Sequence, residues 1–240
     1  MDLGLIQESF PKILAVVDVT LALAASALAL GFILAVLLAV ASLSKNPILS
    51  GFVTGFVYIF RSTPLLVQIF LIYYGSGQFR ALLQDIGLWF LFRDAWFCAI
   101  LALSLNTAAY TCIIIRGGLL SVPWGQIEAA RAIGMSGWMS FRRIIFPIAI
   151  RQALPAYSNE IILMVKATSL ASTITILELT GVAKKIIAQT YQPVEVFLIA
   201  GAIYLSINFI VTRIIVAIEF LMSPHLRLQA GKKSDVSVAR

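Results

Sequence analysis

The sequence predicts an all-α integral membrane protein with about five transmembrane helices. Composition is the first observation behind this prediction: 60% of the 240 residues are hydrophobic and 12% are charged, about half the charged share of a typical soluble domain. The second is that apolar runs of about twenty residues, enough to cross the hydrocarbon core, recur between charged residues. We expect one transmembrane domain over residues 1–240, with a membrane core of about 13–220 and a cytoplasmic tail of 223–240.

The basic residues determine the expected partners and orientation. The net charge is +7, but its 18 basic residues are scattered between apolar runs rather than clustered in a stripe, so we expect a lipid bilayer and no nucleic-acid partner. Basic residues near span ends favour the cytoplasmic side. With the N-terminus outside, eleven of them face the cytoplasm and five face outwards. The eleven are Lys45, Arg116, Arg131, Arg142, Arg143, Arg151, Arg213, Arg227, Lys232, Lys233 and Arg240, and the five are Lys12, Arg80, Arg93, Lys184 and Lys185.

The spans follow from gaps between ionisable residues. Nothing ionisable lies between Asp18 and Lys45, so the first span fills residues 19–43. It is longer than the apolar region of a secretory signal, and we expect it to remain uncleaved. The second region is interrupted by Arg61 and Pro64, which predicts a broken or re-entrant segment near its cytoplasmic end. The second to fifth regions run from Phe52 to about Gly77, between Asp94 and Arg116, from about Ile148 to Leu177, and from Glu195 past Arg213 to Ile218.

A segment of charge, glycine and tryptophan, EAARAIGMSGWMSFRRIIFP from Glu128 to Pro147, separates the third and fourth regions. We expect a helix with Glu128 in an early turn, ended or bent by Gly134, and then a second short amphipathic piece before Pro147. Two short helices joined by a glycine form a knob that could present Ala129 and Ala130 to a partner. The alternative is a pair of interfacial helices lying on the lipid headgroups.

The fourth region carries ionisable residues inside the membrane, Glu160 and Lys166. Such groups are costly in lipid and usually face a cavity or a partner. Six residues place them about 120° apart on a helix, so an intrahelical salt bridge is not expected. Asn159, Lys166 and Thr173 form one stripe at seven-residue spacing. A cationic solute would favour Glu160 and a carboxylate would favour Lys166, but Glu160 could instead bond a neighbouring helix while Lys166 snorkels.

The third region offers a milder polar set. Asn106 and Tyr110 lie one helical turn apart, and Ser104, Thr107 and Thr111 occupy an adjoining face. These side chains either line a pathway or form hydrogen bonds between helices, where small and hydroxyl-bearing residues are ordinary packing material. The sequence leaves both interpretations open.

Catalytic, metal and redox chemistry are not expected. The single His225 lies in the tail, Cys98 and Cys112 lie in or beside an apolar run with no spacing that suggests a bridge, and no H-E-x-x-H motif or paired carboxylates occur. No G-x-x-x-x-G-K-[ST] phosphate loop is present either, so we expect no catalytic residue, no metal and no cofactor in this chain.

Five motifs resemble one protein family. The segment EAA followed by Gly134, Ile144 and Pro147 resembles the EAA loop of permease subunits of bacterial ABC importers, with Phe146 where leucine is more usual. The segments FRSTPLLVQ (60–68), SLNTAAYT (104–111), LPAYSNEIILMVKATSL (154–170) and TYQP (190–193) are similar, in the same order, to the polar amino-acid branch. Ser62 replaces that branch's usual glycine. The histidine/lysine/arginine/ornithine and opine permeases are the closest likeness.

This resemblance implies a type I ABC importer permease fold in the bacterial inner membrane, with the N-terminus outside and the C-terminus cytoplasmic. The EAA loop would be the coupling helix that sits on the ATP-binding subunit. The implied partners are two ATP-binding subunits that bind ATP and Mg, a related second permease forming a heterodimer, an external solute-binding protein and an amino-acid substrate. The implied docking residues are Glu128, Ala129, Ala130, Gly134, Ile144 and Pro147.

The resemblance also implies transport of polar, basic amino acids or opines, with neutral or acidic polar amino acids as the alternative. The candidate pathway residues are Glu160, Asn159, Lys166, Asn106, Tyr110 and Thr173. For Arg61, Thr63 and Pro64 the resemblance favours a gate or a structural role.

Three other functional classes compete with an importer permease: a secondary transporter, an intramembrane enzyme and a non-transporting membrane anchor. The secondary transporter is disfavoured because five spans show no internal inverted repeat and one docking loop is present. The enzyme is disfavoured because a catalytic set is lacking. The anchor is disfavoured because it has no need of polar residues inside span four.

Overall fold

A computed structural model describes residues 3–222, and this part of the chain is helical without a β-strand. The predicted tail, with His225 and four of the cytoplasmic basic residues, lies outside the described residues. The helices in chain order are α1 (Leu3–Leu14), α2 (Val17–Ser42), α3 (Pro47–Ser62), α4 (Leu65–Gln78), α5 (Arg80–Asp85), α6 (Trp89–Phe92), α7 (Ala95–Leu120), α8 (Trp124–Ala132), α9 (Gly137–Ser140), α10 (Phe146–Ala167), α11 (Leu179–Thr190) and α12 (Pro193–Met222).

Within residues 3–222, three helical stretches are long and apolar enough to cross a membrane alone: Gly4–Ser42, Ala95–Leu120 and Pro193–Met222. Two bent pairs raise the number of candidate spans to five. One pair joins α3 and α4 at 103°, and the other joins the stretch 137–174 to α11 at 47°. The prediction of an all-α membrane protein with about five spans is confirmed.

Helix α7 forms the centre of the bundle and packs most extensively against α2 and α10. Glycines set the closest approaches, since a Cβ at Gly31 would collide with Thr107 and one at Gly118 would overlap the backbone oxygen of Ala149. Gly51 and Gly55 form a G-x-x-x-G pair, the sequence signal for close helix packing. A Cβ at either position meets nothing within 4 Å, so the close packing in this chain lies elsewhere.

The break in the second span lies at Thr63 and Pro64. Thr63 is extended, with φ −110° and ψ 142°, because the residue before a proline is disfavoured in the helical region. The break falls midway between helices of 16 and 14 residues. The predicted break is confirmed, but its predicted position near one end of the span is wrong.

The fourth span is not one continuous α-helix. It begins with a π-helical segment, Phe141–Ile145, continues as α10 and then tightens into a 3₁₀ segment, Thr168–Ile174. The predicted stripe of Asn159, Lys166 and Thr173 assumed 3.6 residues per turn throughout. It does not extend to Thr173, because a 3₁₀-helix has about three residues per turn.

Candidate functional site

The first candidate site is the loop segment, residues 124–145, which joins α7 to α10. Helix α8 ends in a Schellman motif: the Gly134 amide donates to the Arg131 carbonyl at 3.0 Å, and the Met135 amide donates to the Ala130 carbonyl at 3.0 Å. Gly134 has φ +79°, a left-handed conformation that glycine adopts without the Cβ penalty. The predicted helix end at Gly134 is confirmed, although Glu128 lies beyond the first turn of α8.

The loop segment is held to the bundle from its inner side. Val122 and Ala130 are buried, and Ile127, Phe141 and Ile145 pack against the core cluster shared by α2, α3, α7 and α10. The side chains of Ile144 and Pro147 are half-buried at the start of the fourth span. These contacts give the loop a fixed base.

The outward side of the loop segment is exposed and carries large apolar side chains among charged ones. Ile133 is 77% exposed and Trp138 is 71% exposed, and Glu128 and Ala129 are also exposed. Ala130 points to the bundle instead, so the expectation that both alanines are presented outwards is wrong for Ala130. The amphipathic turn of α8 decides this, because consecutive residues lie about 100° apart.

The second candidate site is a cavity of about 460 Å³ between α7, α10 and the 3₁₀ segment, called here the central cavity. Asn106, Tyr110, Glu160 and Lys166 all line it. Although Glu160 and Lys166 project from different sides of α10, the cavity extends around the helix far enough to reach both. The structure thus brings together four of the six residues that the sequence suggested for a pathway.

The polar atoms of the central cavity are held by neighbouring helices. Glu160 is only 7% exposed and accepts a hydrogen bond from Thr107 Oγ1 at 2.9 Å. Asn106 Nδ2 donates to Gln68 Oε1 at 3.0 Å and to the Phe60 carbonyl at 3.3 Å. Both residues therefore join helices as well as lining the cavity, and the two roles left open by the sequence coexist.

The other two suggested pathway residues lie elsewhere. Asn159 is exposed and outside the lining of the central cavity. Thr173 lies in the 3₁₀ segment, where its carbonyl accepts from the Tyr74 hydroxyl at 3.4 Å. Within residues 3–222, Ser104 Oγ and Thr111 Oγ1 are buried without a hydrogen-bond partner, so these two hydroxyls neither line the cavity nor link helices.

The break between α3 and α4 is held by Gln68. Its Nε2 donates to the Phe60 carbonyl at 2.8 Å, to the Thr63 hydroxyl at 2.8 Å and to the Thr63 carbonyl at 3.1 Å. These contacts satisfy groups that a helix end leaves unpaired. Arg61, just before the break, lies over the Tyr110 ring at 5.2 Å.

Two residues that hold helices together, Gln68 and Glu178, are not predicted by the sequence analysis. In the sequence, Gln68 stands out only as the last residue of a motif, yet a polar side chain four residues after an intramembrane proline is a signal for a partner of the orphaned carbonyls. Glu178 belongs to none of the motifs quoted above. It is fully buried, caps α11 by accepting from the Gly181 amide, and accepts from the Tyr204 hydroxyl at 2.7 Å. Its position at a helix start was the available signal.

Comparison with known proteins agrees with the fold. A solved structure described as an amino acid ABC transporter with histidines is 32% identical, covers 91% of this chain and 98% of its own, and superposes with a TM-score of 0.78. The nopaline transport system permease protein of Agrobacterium fabrum is 63% identical over 96% of both chains. The octopine transport system permease protein of Rhizobium meliloti is 54% identical over 92% of this chain and 89% of its own.

The family model for inner membrane components of binding-protein-dependent transport systems matches residues 15–224. This range contains most of the first candidate span, all of the other four, the loop segment and the central cavity. The chain therefore belongs to the family of binding-protein-dependent transport system inner membrane components.

Proposed function

We propose that this chain imports opines or basic amino acids and supplies half of the translocation pathway. The observation that carries the substrate class is Glu160. Its carboxylate lines the central cavity, and its hydrogen-bond partner is the neutral Thr107 hydroxyl rather than a cation. Nopaline and octopine, named for two relatives of this chain, are both derivatives of arginine and share its guanidinium group. A cationic group of this kind is a suitable partner for a carboxylate in a poorly hydrated cavity.

The pathway in this proposal runs past Asn106, Tyr110, Glu160 and Lys166. Arg61, Thr63 and Pro64 at the break of the second span form its gate, because Arg61 stacks on a residue that lines the cavity. A backbone break inside a span is tolerated where it borders a cavity or is buried in protein. Movement of α3 against α7 would change the Arg61–Tyr110 contact and with it the opening of the cavity.

The loop segment is proposed as the docking element for the ATP-binding subunit. Support comes from its fixed inner base and its exposed outer side chains Ile133 and Trp138, since exposed apolar residues on a rigid base suit a protein interface.

In the proposed assembly, ATP and Mg²⁺ are bound by the ATP-binding subunit. Two copies of it, a related second permease in a heterodimer and an external solute-binding protein complete the assembly. Residues 1–240 form one transmembrane domain with the N-terminus outside and the C-terminus cytoplasmic.

The test is ATP hydrolysis by the complex, purified through this subunit and reconstituted in lipid with its binding protein. The solute panel is arginine, lysine, histidine, octopine, nopaline, glutamine and glutamate. We expect stimulation by the cationic amino acids or the opines alone. Stimulation by glutamine or glutamate instead would assign the chain to neutral or acidic solutes, and a purified complex without an ATPase would contradict the docking proposal.

A further inference from the structure

A second cavity, of about 510 Å³, lies between α2, α3 and α7 at the end of the bundle that leads into the loop segment. We call it the arginine cavity, because Arg61 from α3 and Arg116 from α7 both line it. The hydroxyl groups of Ser50, Thr54 and Tyr58 lie on its α3 wall. The central cavity already described does not include any of these five side chains.

The lining of the arginine cavity has one sign of charge. It holds two guanidinium groups and no carboxylate, and among residues 3–222 neither arginine takes part in an ion pair. Both arginine side chains are exposed, so water weakens their mutual repulsion, and a carboxylate bound between them would be attracted by both. Guanidinium groups present several N–H donors in a planar fork that matches a carboxylate. The Ser50 and Thr54 hydroxyls already donate to the Ser42 and Ser50 carbonyl oxygens, so the Tyr58 hydroxyl is the one on the α3 wall that can donate to the same carboxylate.

Tyr110 connects the two cavities, since it lines both and lies beneath Arg61 at 5.2 Å. Along α7, Asn106 in the central cavity and Arg116 in the arginine cavity are ten residues apart, which is about 15 Å of helix. The central cavity is lined by one carboxylate, Glu160, and one cation, Lys166, whereas the charged residues that line the arginine cavity are both cations. A solute with a cationic end and an anionic end fits this sequence of charges.

We propose that the arginine cavity binds the carboxylate groups of the transported solute on its way to the loop-side exit, and that it favours solutes with several carboxylates. The inference rests on the proposed function. Arginine has one carboxylate, octopine two and nopaline three, so the three solutes share a cationic group and differ in negative charge. Arg61 and Arg116 then act as specificity-determining residues. Arg116 is the better position for a test, because substitution of Arg61 would also remove its stacking on the Tyr110 ring.

The experiment compares Arg116→Gln with Arg116→Lys, which keeps the charge, and with Arg213→Gln on α12, an exposed arginine outside both cavities. Transport of arginine, octopine and nopaline is measured in proteoliposomes that contain the complete complex and saturating loaded binding protein. Equilibrium binding of the same three labelled solutes is also measured on the complex in nanodiscs without binding protein. This measurement gives a result for any solute that the binding protein does not bind and therefore cannot deliver.

We expect Arg116→Gln to lower transport and binding of octopine and nopaline about tenfold, as for loss of a charge-assisted hydrogen bond, and to affect arginine less. Arg116→Lys should retain most of the preference and Arg213→Gln all of it. An equal loss for all three solutes, or no loss, would overturn the inference while leaving the importer intact. A wild-type complex that transports none of them would instead contradict the proposed function.

A phospholipid headgroup is a second source of anionic oxygen atoms at this end of the bundle. The wild-type complex and Arg116→Gln are therefore also compared in liposomes of phosphatidylcholine alone and with added phosphatidylglycerol. Solute preference that is the same in both lipids supports the inference. Activity that requires phosphatidylglycerol in the wild type and loses that requirement in Arg116→Gln would assign the cavity to lipid and overturn it.

Discussion

Helix α7 and the loop segment follow each other in the chain but meet their partners differently. On α7, the Asn106 amide donates to Gln68, the Thr107 hydroxyl donates to Glu160 and Gly118 touches Ala149, so these three residues have their partners inside the chain. In the loop segment, Ile133 and Trp138 remain largely exposed above a buried base. These α7 residues meet partners within the chain, whereas the loop segment offers a surface to something outside it.

This contrast fits a transport subunit of a binding-protein-dependent system, in which the chain is not the enzyme. Such a chain needs a bundle that keeps its packing while one element is acted on from outside. Substitutions on α7 should accordingly damage stability, and substitutions in the loop segment should damage coupling. Four predictions, ordered by expected effect, test that division.

The largest effect is expected from Gly134→Asp, which should abolish transport while the protein remains inserted. A side chain at φ +79° strains the Schellman turn, and the added charge stands beside the exposed apolar surface. Because a Cβ there meets nothing within 4 Å, the bundle should lose no more than about 1–2 kcal/mol of unfolding free energy. Uptake and membrane insertion are measured together.

Gly134→Asn is the matched control, since asparagine tolerates the left-handed conformation and has no charge. It should retain a large part of the uptake. Normal uptake by Gly134→Asp would remove the basis for the docking proposal.

A smaller effect is expected from Gly118→Ala on α7. The new Cβ would overlap the Ala149 carbonyl oxygen, so α7 and α10 must separate. Overpacking of this kind costs about 1–3 kcal/mol. Gly117→Ala, one residue earlier, places its Cβ in open space and should be neutral or stabilising by up to about 1 kcal/mol. Thermal unfolding in detergent measures both, and equal melting temperatures would contradict the packing assignment.

Glu160→Gln tests the boundary between the structural and transport roles. The glutamine carbonyl can still accept from Thr107 Oγ1, so stability should fall by about 1 kcal/mol or less. Uptake of cationic solutes should fall about tenfold, because the charge that would face them is removed. Competition uptake with a cationic and a neutral solute is the measurement. Equal loss for both would make Glu160 a purely structural residue.

The smallest effect is expected from Ser136→Ala in the loop segment. Ser136 Oγ accepts from the Met139 amide at 3.3 Å and caps α9, and removing such a cap costs about 0.5–1 kcal/mol. Amide exchange at Met139 should increase while the melting temperature of the bundle changes little. A large drop in melting temperature would show that the loop segment and the bundle unfold as one unit.

The sequence by itself determined the number of spans, the break at Pro64, the turn at Gly134 and the family resemblance. Each depends on local properties: apolar runs of membrane length, the restricted backbone before proline, and the freedom of glycine at positive φ. Hydrogen-bond partners, cavities and the direction of Ala130 were not determined in this way. Glu160 meets Thr107 from 53 residues away, and Asn106 meets Gln68 from 38.

The glycines show the physical reason most directly. Gly51 and Gly55 have the spacing of a packing motif but face open space, whereas Gly31 and Gly118, neither of which belongs to a G-x-x-x-G pair, make the close helix contacts. Spacing identifies which residues share a face of a helix, but it does not say which neighbour that face meets. The tertiary structure decided that, and with it the union of Arg61 and Arg116 in one cavity.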